Sequence, residues 1–159
     1  MKHLPKHVRP RWRYLAVEIE TWPEADIERG RFQRALWYGA QNLIGDAGSA
    51  RVDLTVVSFE HRDGTGYAVV RTRRGEESDA RAVVAAVDAV DGQAVGLRVC
   101  GISATVRACE EKYIRRRPEG TEQRYVAFGD ADCDAIVQDG RVDVRTDDAF
   151  TGATELDLQ

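Results

Sequence analysis

Lysine is nearly missing from this chain: 3 of 159 residues, beside 20 Arg, 15 Asp and 12 Glu. Lysine scarcity with abundant Arg and Asp points to a GC-rich genome or to a salt-loving host, where acidic surfaces keep proteins in solution. No apolar run approaches the ~20 residues that cross a bilayer, so a membrane helix is not expected. The N-terminal MKHLPKHVRPRWRYL is basic and lacks the apolar core of a secretion signal, which predicts an unexported, cytoplasmic protein with no membrane partner. The cysteines, Cys100, Cys109 and Cys133, are odd in number and contain no CxxC pair, which argues against both a disulfide framework and a zinc site.

Catalytic signatures are equally scarce. His3, His7 and His61 sit in a basic arm and a turn, without the spacing or the Cys and Asp partners of a metal site. Asp130, Asp132 and Asp134 begin like a calcium loop, but Ala135 stands where Gly is needed and Arg141 where Glu is needed. Asp63-Gly64-Thr65-Gly66 is too short for a phosphate-binding loop and suits a tight turn. Glu110 and Glu111 are helix neighbours that point about 100° apart and do not converge on one substrate. No GxSxG, HExxH or Walker pattern occurs, so no catalytic residue, metal or protein-bound cofactor is expected, and the polypeptide alone is not expected to be a catalyst.

What the sequence does hold is a partition of charge. Residues 1–117 carry 20 basic and 16 acidic side chains, whereas residues 118–159 carry 3 and 11. The first stretch has the length and periodicity of one domain; the second, rich in Asp, Gly and Ala, reads as an acidic and largely flexible tail. Short apolar stretches at 123–128, 135–137 and 141–144 leave room for a hairpin around Asp139-Gly140. Lys2, Lys6, Arg9, Arg11 and Arg13 form an N-terminal arm (1–13) free of acidic residues, and Arg115, Arg116 and Arg117 close the first stretch. Both are candidate phosphate-contacting patches, although a merely solvated surface has the same composition.

Periodicity supplies the elements. Residues 12–21 alternate as a half-buried strand, with Leu15, Val17 and Ile19 on one face. A helix is predicted over 26–44, capped by Asp26 and stopped by Gly45, with Gly39 marking a close backbone approach. Strands at 51–59 and 66–74 flank an Asp-Gly turn; a helix capped by Ser78 or Asp79 runs to Val90; a strand covers 95–102; and a last helix spans 103–116 from a Ser103 cap. The order is the βαββαβ, ferredoxin-like or RNA-recognition-like α/β (α+β) sandwich, with an added C-terminal helix and the acidic tail. Alternation places Tyr14, Thr55, Tyr67, Arg71, Arg73 and Arg98 on the sheet face opposite the first two helices, a composition that suits RNA.

Three segments carry a family resemblance: MKHLPKHVRPRWRYLAVEIET, ALWYGAQNLIGDAGSA and GLRVCGISATVRACEEKYIRRR. Together they resemble the archaeal ribonuclease P protein component 2 family, related to a protein subunit of eukaryotic ribonuclease P and of the mitochondrial-RNA-processing ribonuclease. The Lys-poor, Asp-rich variant is similar to its halophilic branch. The resemblance covers residues 1 to about 117. It implies a protein subunit of the ribonucleoprotein that removes the 5′ leader of precursor tRNA, an endoribonuclease whose catalyst is RNA and whose Mg²⁺ sits in the RNA active site. It implies as partners the ribonuclease P RNA, protein component 3 with two copies of each, the other protein subunits, and precursor tRNA through the complex. Carried over by position, the arm from Lys2 to Arg13, Arg107 and Arg115 to Arg117 become RNA-contact candidates beside Tyr14, Arg71 and Arg73; Trp37 and Tyr38 become candidates for protein pairing, with a core role equally open. The third strand lacks the aromatic consensus of true RNA-recognition motifs, so backbone and shape recognition of structured RNA is expected over base stacking on the sheet. Rival readings are a small-molecule-sensing regulatory module of the same topology, a generic structured-RNA-binding protein, and a freestanding enzyme.

Overall fold

The computed structural model describes residues 4–115, 122–138, 141–153 and 157. The chain divides into two compact units, Met1–Arg116 and Arg117–Gln159.

In the first unit, strands β1 (Trp12–Thr21), β2 (Thr55–Arg62), β3 (Thr65–Arg73), β4 (Ala89–Val90) and β5 (Gln93–Ser103) form an antiparallel sheet in the order β2-β3-β1-β5-β4. Helices α1 (Arg29–Val52) and α2 (Glu77–Ala86) cover one face. This is the expected ferredoxin-like arrangement, extended by the two-residue β4. The alternation of β1 does the sorting: Leu15, Val17 and Ile19 meet Phe32, Leu36 and Ala40 of α1 and Val83 and Val84 of α2 in one core. At α1–α2, a Cβ added to Gly39 would sit 3.0 Å from Val87 Cγ2, so the close approach expected there is made by an α2-side valine rather than by backbone.

Element ends differ from the sequence reading in three instructive places. First, α1 starts at Arg29, not near Asp26, and continues past Gly45, whose φ of 72° breaks it before a short second segment ends at Val52. The glycine was legible as a stop; the resumption depends on tertiary anchors, Val52 buried in the core and its carbonyl accepting from Thr72 Oγ1 at 2.7 Å. Second, α2 ends at Ala86. Val87 and Val90 continue the apolar stripe but leave the helix, and Asp91 (φ 51°) and Gly92 (φ 76°) form the turn of a β4–β5 hairpin, two left-handed residues as in the Asp63-Gly64 turn between β2 and β3. Third, the last helix is a single turn, α3 (Val106–Cys109), followed by a π-helical turn at Glu110–Ile114; its cap is Thr105, whose Oγ1 accepts from Ala108 N at 3.1 Å, not Ser103, which ends β5.

The α3 segment lies on the second sheet face, where Cys109 packs with Ala16 and Val69, and Tyr14, Val57, Val106 and Tyr113 close around them. Tyr113 explains a glycine: a Cβ at Gly101 would fall about 2.1 Å from its ring, so only Gly lets this ring lie flat on β5. Burial pushes the Cys109 thiol up to about 11 and raises Cys100 as well, so both are neutral packing groups at physiological pH.

The border strand β2 is guarded by α1. Gln33 Nε2 donates to Leu54 O (3.0 Å) while Val56 N donates to Gln33 Oε1 (2.7 Å); Trp37 Nε1 donates to Leu54 O (2.8 Å) and Arg29 Nη2 to Val56 O (2.8 Å). Around Leu54 and Val56, backbone groups that would face outward from the sheet are thus satisfied by side chains.

The second unit corrects the picture of a largely flexible tail. Strands β6 (Glu122–Phe128), β7 (Ala131–Gln138), β8 (Arg141–Thr146) and β9 (Ala149–Ala153) pair in sequence as a four-stranded antiparallel meander. The β7–β8 hairpin is where the short apolar stretches suggested one; its turn residues 139–140 lie outside the described residues. Ala135, Val142 and Val144 form a small core, with Val126, Cys133 and Val137 packed against it. The composition hides this core because its apolar residues are small, but their period of two across β7 and β8 puts them on one face.

Candidate nucleic-acid interface

The N-terminal arm enters the fold through a 3₁₀ turn, Lys6–Val8, and then Arg9, Pro10 and Arg11 before β1 begins at Trp12. Arg74 N donates to Arg11 O at 2.9 Å, so the arm runs beside the end of β3. Antiparallel register then sets Trp12 opposite Arg73, Arg13 opposite Thr72 and Tyr14 opposite Arg71. One end of the sheet therefore gathers Arg11, Arg13, Arg71, Arg73 and Arg74 from two segments about 60 residues apart in sequence; alternation puts Arg71 and Arg73 with Trp12 on the second face and Arg13 on the helix side, beside Glu77 of α2.

The guanidinium groups are not equivalent. Arg13 Nε lies 3.9 Å from Glu77 and Arg73 Nη2 3.4 Å from Asp53, long and partly exposed pairs that contribute little binding of their own. Arg11 and Arg74 are exposed and have no acidic partner among the described residues. Arg71 has none either; its Cζ stands 3.9 Å from the centre of the Trp12 ring, and Arg73 Cζ stands 5.2 Å from it. Trp12 was not singled out by sequence; its period-2 position with Tyr14, opposite a strand carrying Arg71 and Arg73, is the signal that could have found it.

The other candidates separate into groups. Lys6 and Arg9 lie in the exposed arm, where Arg9 Nε donates to Leu4 O at 2.6 Å. Tyr14 is half-buried against α3 and so contributes packing first. Arg107 lies in α3 and is held by Glu111 at 2.9 Å, and Arg115, exposed, follows the π-helical turn. Lys2, Arg116 and Arg117 lie outside the described residues. On the same face but farther along β1, Arg98 binds the buried Glu18 carboxylate at 2.8 Å, an ion pair that raises the Arg98 pKa and takes this cation out of the basic group. His61 Nε2 is 2.8 Å from Thr21 Oγ1, and burial holds its pKa below the ordinary value.

Trp37 and Tyr38 are on the surface of α1 rather than in the core, 46% and 62% exposed. Tyr38 lines a groove of about 610 Å³ between α1 and the segment after α2, with Arg34, Asn42, Val87 and Asp91 around it. Among the described residues no three of His, Cys, Asp and Glu group to hold a metal, and no helix is long and apolar enough to cross a membrane.

The Rpp14/Pop5 family model matches residues 13–114, which spans the sheet, both helices and α3. Ribonuclease P protein component 2 of Haloarcula marismortui is 61% identical over 100% of both chains, and that of Natronomonas pharaonis is 59% identical over 100% of this chain and 99% of its own. Among solved structures, a chain of yeast ribonuclease MRP is 16% identical with a TM-score of 0.47, covering 63% of this chain and 79% of that one. The family match covers more than half of the sequence and the relatives are similar from end to end: this chain belongs to the Rpp14/Pop5 family.

Proposed function

We propose that this protein is a cytoplasmic, RNA-binding subunit of ribonuclease P, the ribonucleoprotein that removes the 5′ leader of precursor tRNA, and that it grips the ribonuclease P RNA through the basic end of its sheet. The observation that carries the reading is the convergence of the arm and the end of β3, which gathers Arg11, Arg13, Arg71, Arg73 and Arg74 at one end of the sheet. The names borne by its relatives agree with it. A rigid sheet presenting fixed guanidinium groups suits phosphates of folded RNA, because Arg matches phosphate geometry in a fork and is weakly hydrated.

In this role the protein shapes and holds RNA, while hydrolysis and the Mg²⁺ that promotes it belong to the RNA. Protein component 3, with two copies of each subunit, is the proposed protein partner, and the exposed α1 surface around Trp37 and Tyr38 is the surface proposed to meet it. The test is reconstitution of ribonuclease P RNA, component 3 and this protein, measuring cleavage of precursor tRNA with each member omitted in turn. Omission of this protein is expected to lower cleavage, and the Arg9, Arg11 and Arg13→Ala triple variant is expected to weaken RNA binding about tenfold or more while its melting midpoint holds. Full cleavage without the protein refutes the role.

A further inference from the structure

Trp12 and Arg71 form a contact that the fold does not require. A guanidinium on a half-exposed sheet face ordinarily extends into water or reaches a carboxylate. Arg71 is half-buried and reaches no carboxylate among the described residues: it lies against the Trp12 indole, and its Nε is buried with no hydrogen-bond partner. The carboxylates at this end of the sheet are engaged by other arginines, Asp53 by Arg73 and Glu77 by Arg13. A buried N–H donor given no acceptor is costly, and such a group calls for an explanation. The indole supplies the compensation, since a cation over the face of Trp is held by the ring quadrupole.

We infer that Trp12 is a positioning residue that fixes Arg71, with Arg73 beside it, as a preset seat for a backbone phosphate of RNA. This rests on the RNA-binding reading and adds to it a residue, a geometry and a ligand group. The side chain is already ordered by the indole, so less rotamer freedom is lost when the phosphate arrives. In molar salt, moreover, the Debye length is about 3 Å and counterion release contributes little. A cation–π contact acts at van der Waals distance and keeps its strength there, so the seat stays formed where long-range attraction is screened. Two exposed cations at the same end of the sheet without acidic partners among the described residues, Arg11 and Arg74, reinforce the choice of an anionic ligand.

The experiment uses the full-length protein and transcribed ribonuclease P RNA, with affinity measured over a range of salt concentrations and the fold checked by melting midpoint. Arg71→Ala is expected to lower affinity and to reduce the slope of log K against log salt by about one, the signature of one lost phosphate contact. Trp12→Leu, which removes the quadrupole and keeps an apolar side chain, is expected to lose about tenfold in affinity, and Trp12→Phe to stay within about threefold of wild type. Unchanged affinity and slope in Arg71→Ala overturn the seat, whatever Trp12→Leu does to the fold. Equal loss in Trp12→Phe and Trp12→Leu overturns the part assigned to the indole. If the wild-type protein fails to bind the RNA, the RNA-binding reading itself falls.

Discussion

The two units of this chain are both antiparallel sheets, yet they are stabilised by different means. In the first, the sheet is backed by helices and buries Phe32, Leu15, Ile19, Leu36 and Leu54 completely. In the second, the described residues form a meander without a helix, whose core is Ala135, Val142 and Val144. Charge follows the same divide: residues 1–117 hold 20 of the 23 basic side chains, and residues 118–159 hold 11 of the 27 acidic ones in 42 positions. The family model stops at residue 114, whereas the Haloarcula and Natronomonas relatives match across the whole chain. The first unit thus carries the family's fold, and the second is an acidic addition shared with those two relatives. The lesson is that acidity and small side chains do not by themselves mean an unstructured segment; a period of two over four strands is enough for a sheet.

Core substitutions test this contrast most strongly. Leu36→Ala is expected to cost the first unit about 3 kcal/mol, and Val144→Ala to cost the second about 1.5 kcal/mol, because fewer buried atoms are removed from a smaller core. Urea unfolding followed by amide exchange of each unit reads the two separately. Equal protection loss in both units from either variant would break the comparison, since it would make them one cooperative block.

A smaller effect is expected at the guarded border. Gln33→Leu removes the acceptor of Val56 N and one of two donors to Leu54 O, a loss of about 1 kcal/mol measured by chemical denaturation. A protein that tolerates Gln33→Leu without change would show that these side chains do not hold the border of the first sheet.

The smallest effect is the pH dependence contributed by His61. Its pKa in the folded chain lies below the unfolded value, chiefly through burial, with Asp26 opposing. The neutral form is therefore favoured by folding: the contribution is fully present above the unfolded pKa of about 6.5 and is lost as pH falls through the lower, folded value. His61→Gln is expected to flatten the fall of the melting midpoint between pH 7 and pH 5 that the wild type shows, and to leave the second unit's transition unaffected.

Much of this was legible in the chain because local and global signals agree where alternation is strict. Leu15, Val17 and Ile19 mark β1, Asp63-Gly64 marks the β2–β3 turn, and together with the helical stripes they fix the ferredoxin-like order. The misreadings share a cause. Val87 and Val90 are buried as the helical stripe promised, but the backbone had already turned into a hairpin, and burial alone does not tell which element carries an apolar residue. Similarly, the basic arm was visible as a run of charge, whereas Trp12 became part of the site only through cross-strand register, information that no single segment contains.

The side chains of Arg29, Gln33 and Trp37 have one more consequence, for how copies of the first unit could aggregate. Joining by strand addition needs free strand borders to propagate; here the start of β2 is occupied at Leu54 and Val56, and β5 is bulged near Cys100. A copy adding a strand at the start of β2 would have to displace these three side chains first, which discourages joining along that stretch of the border.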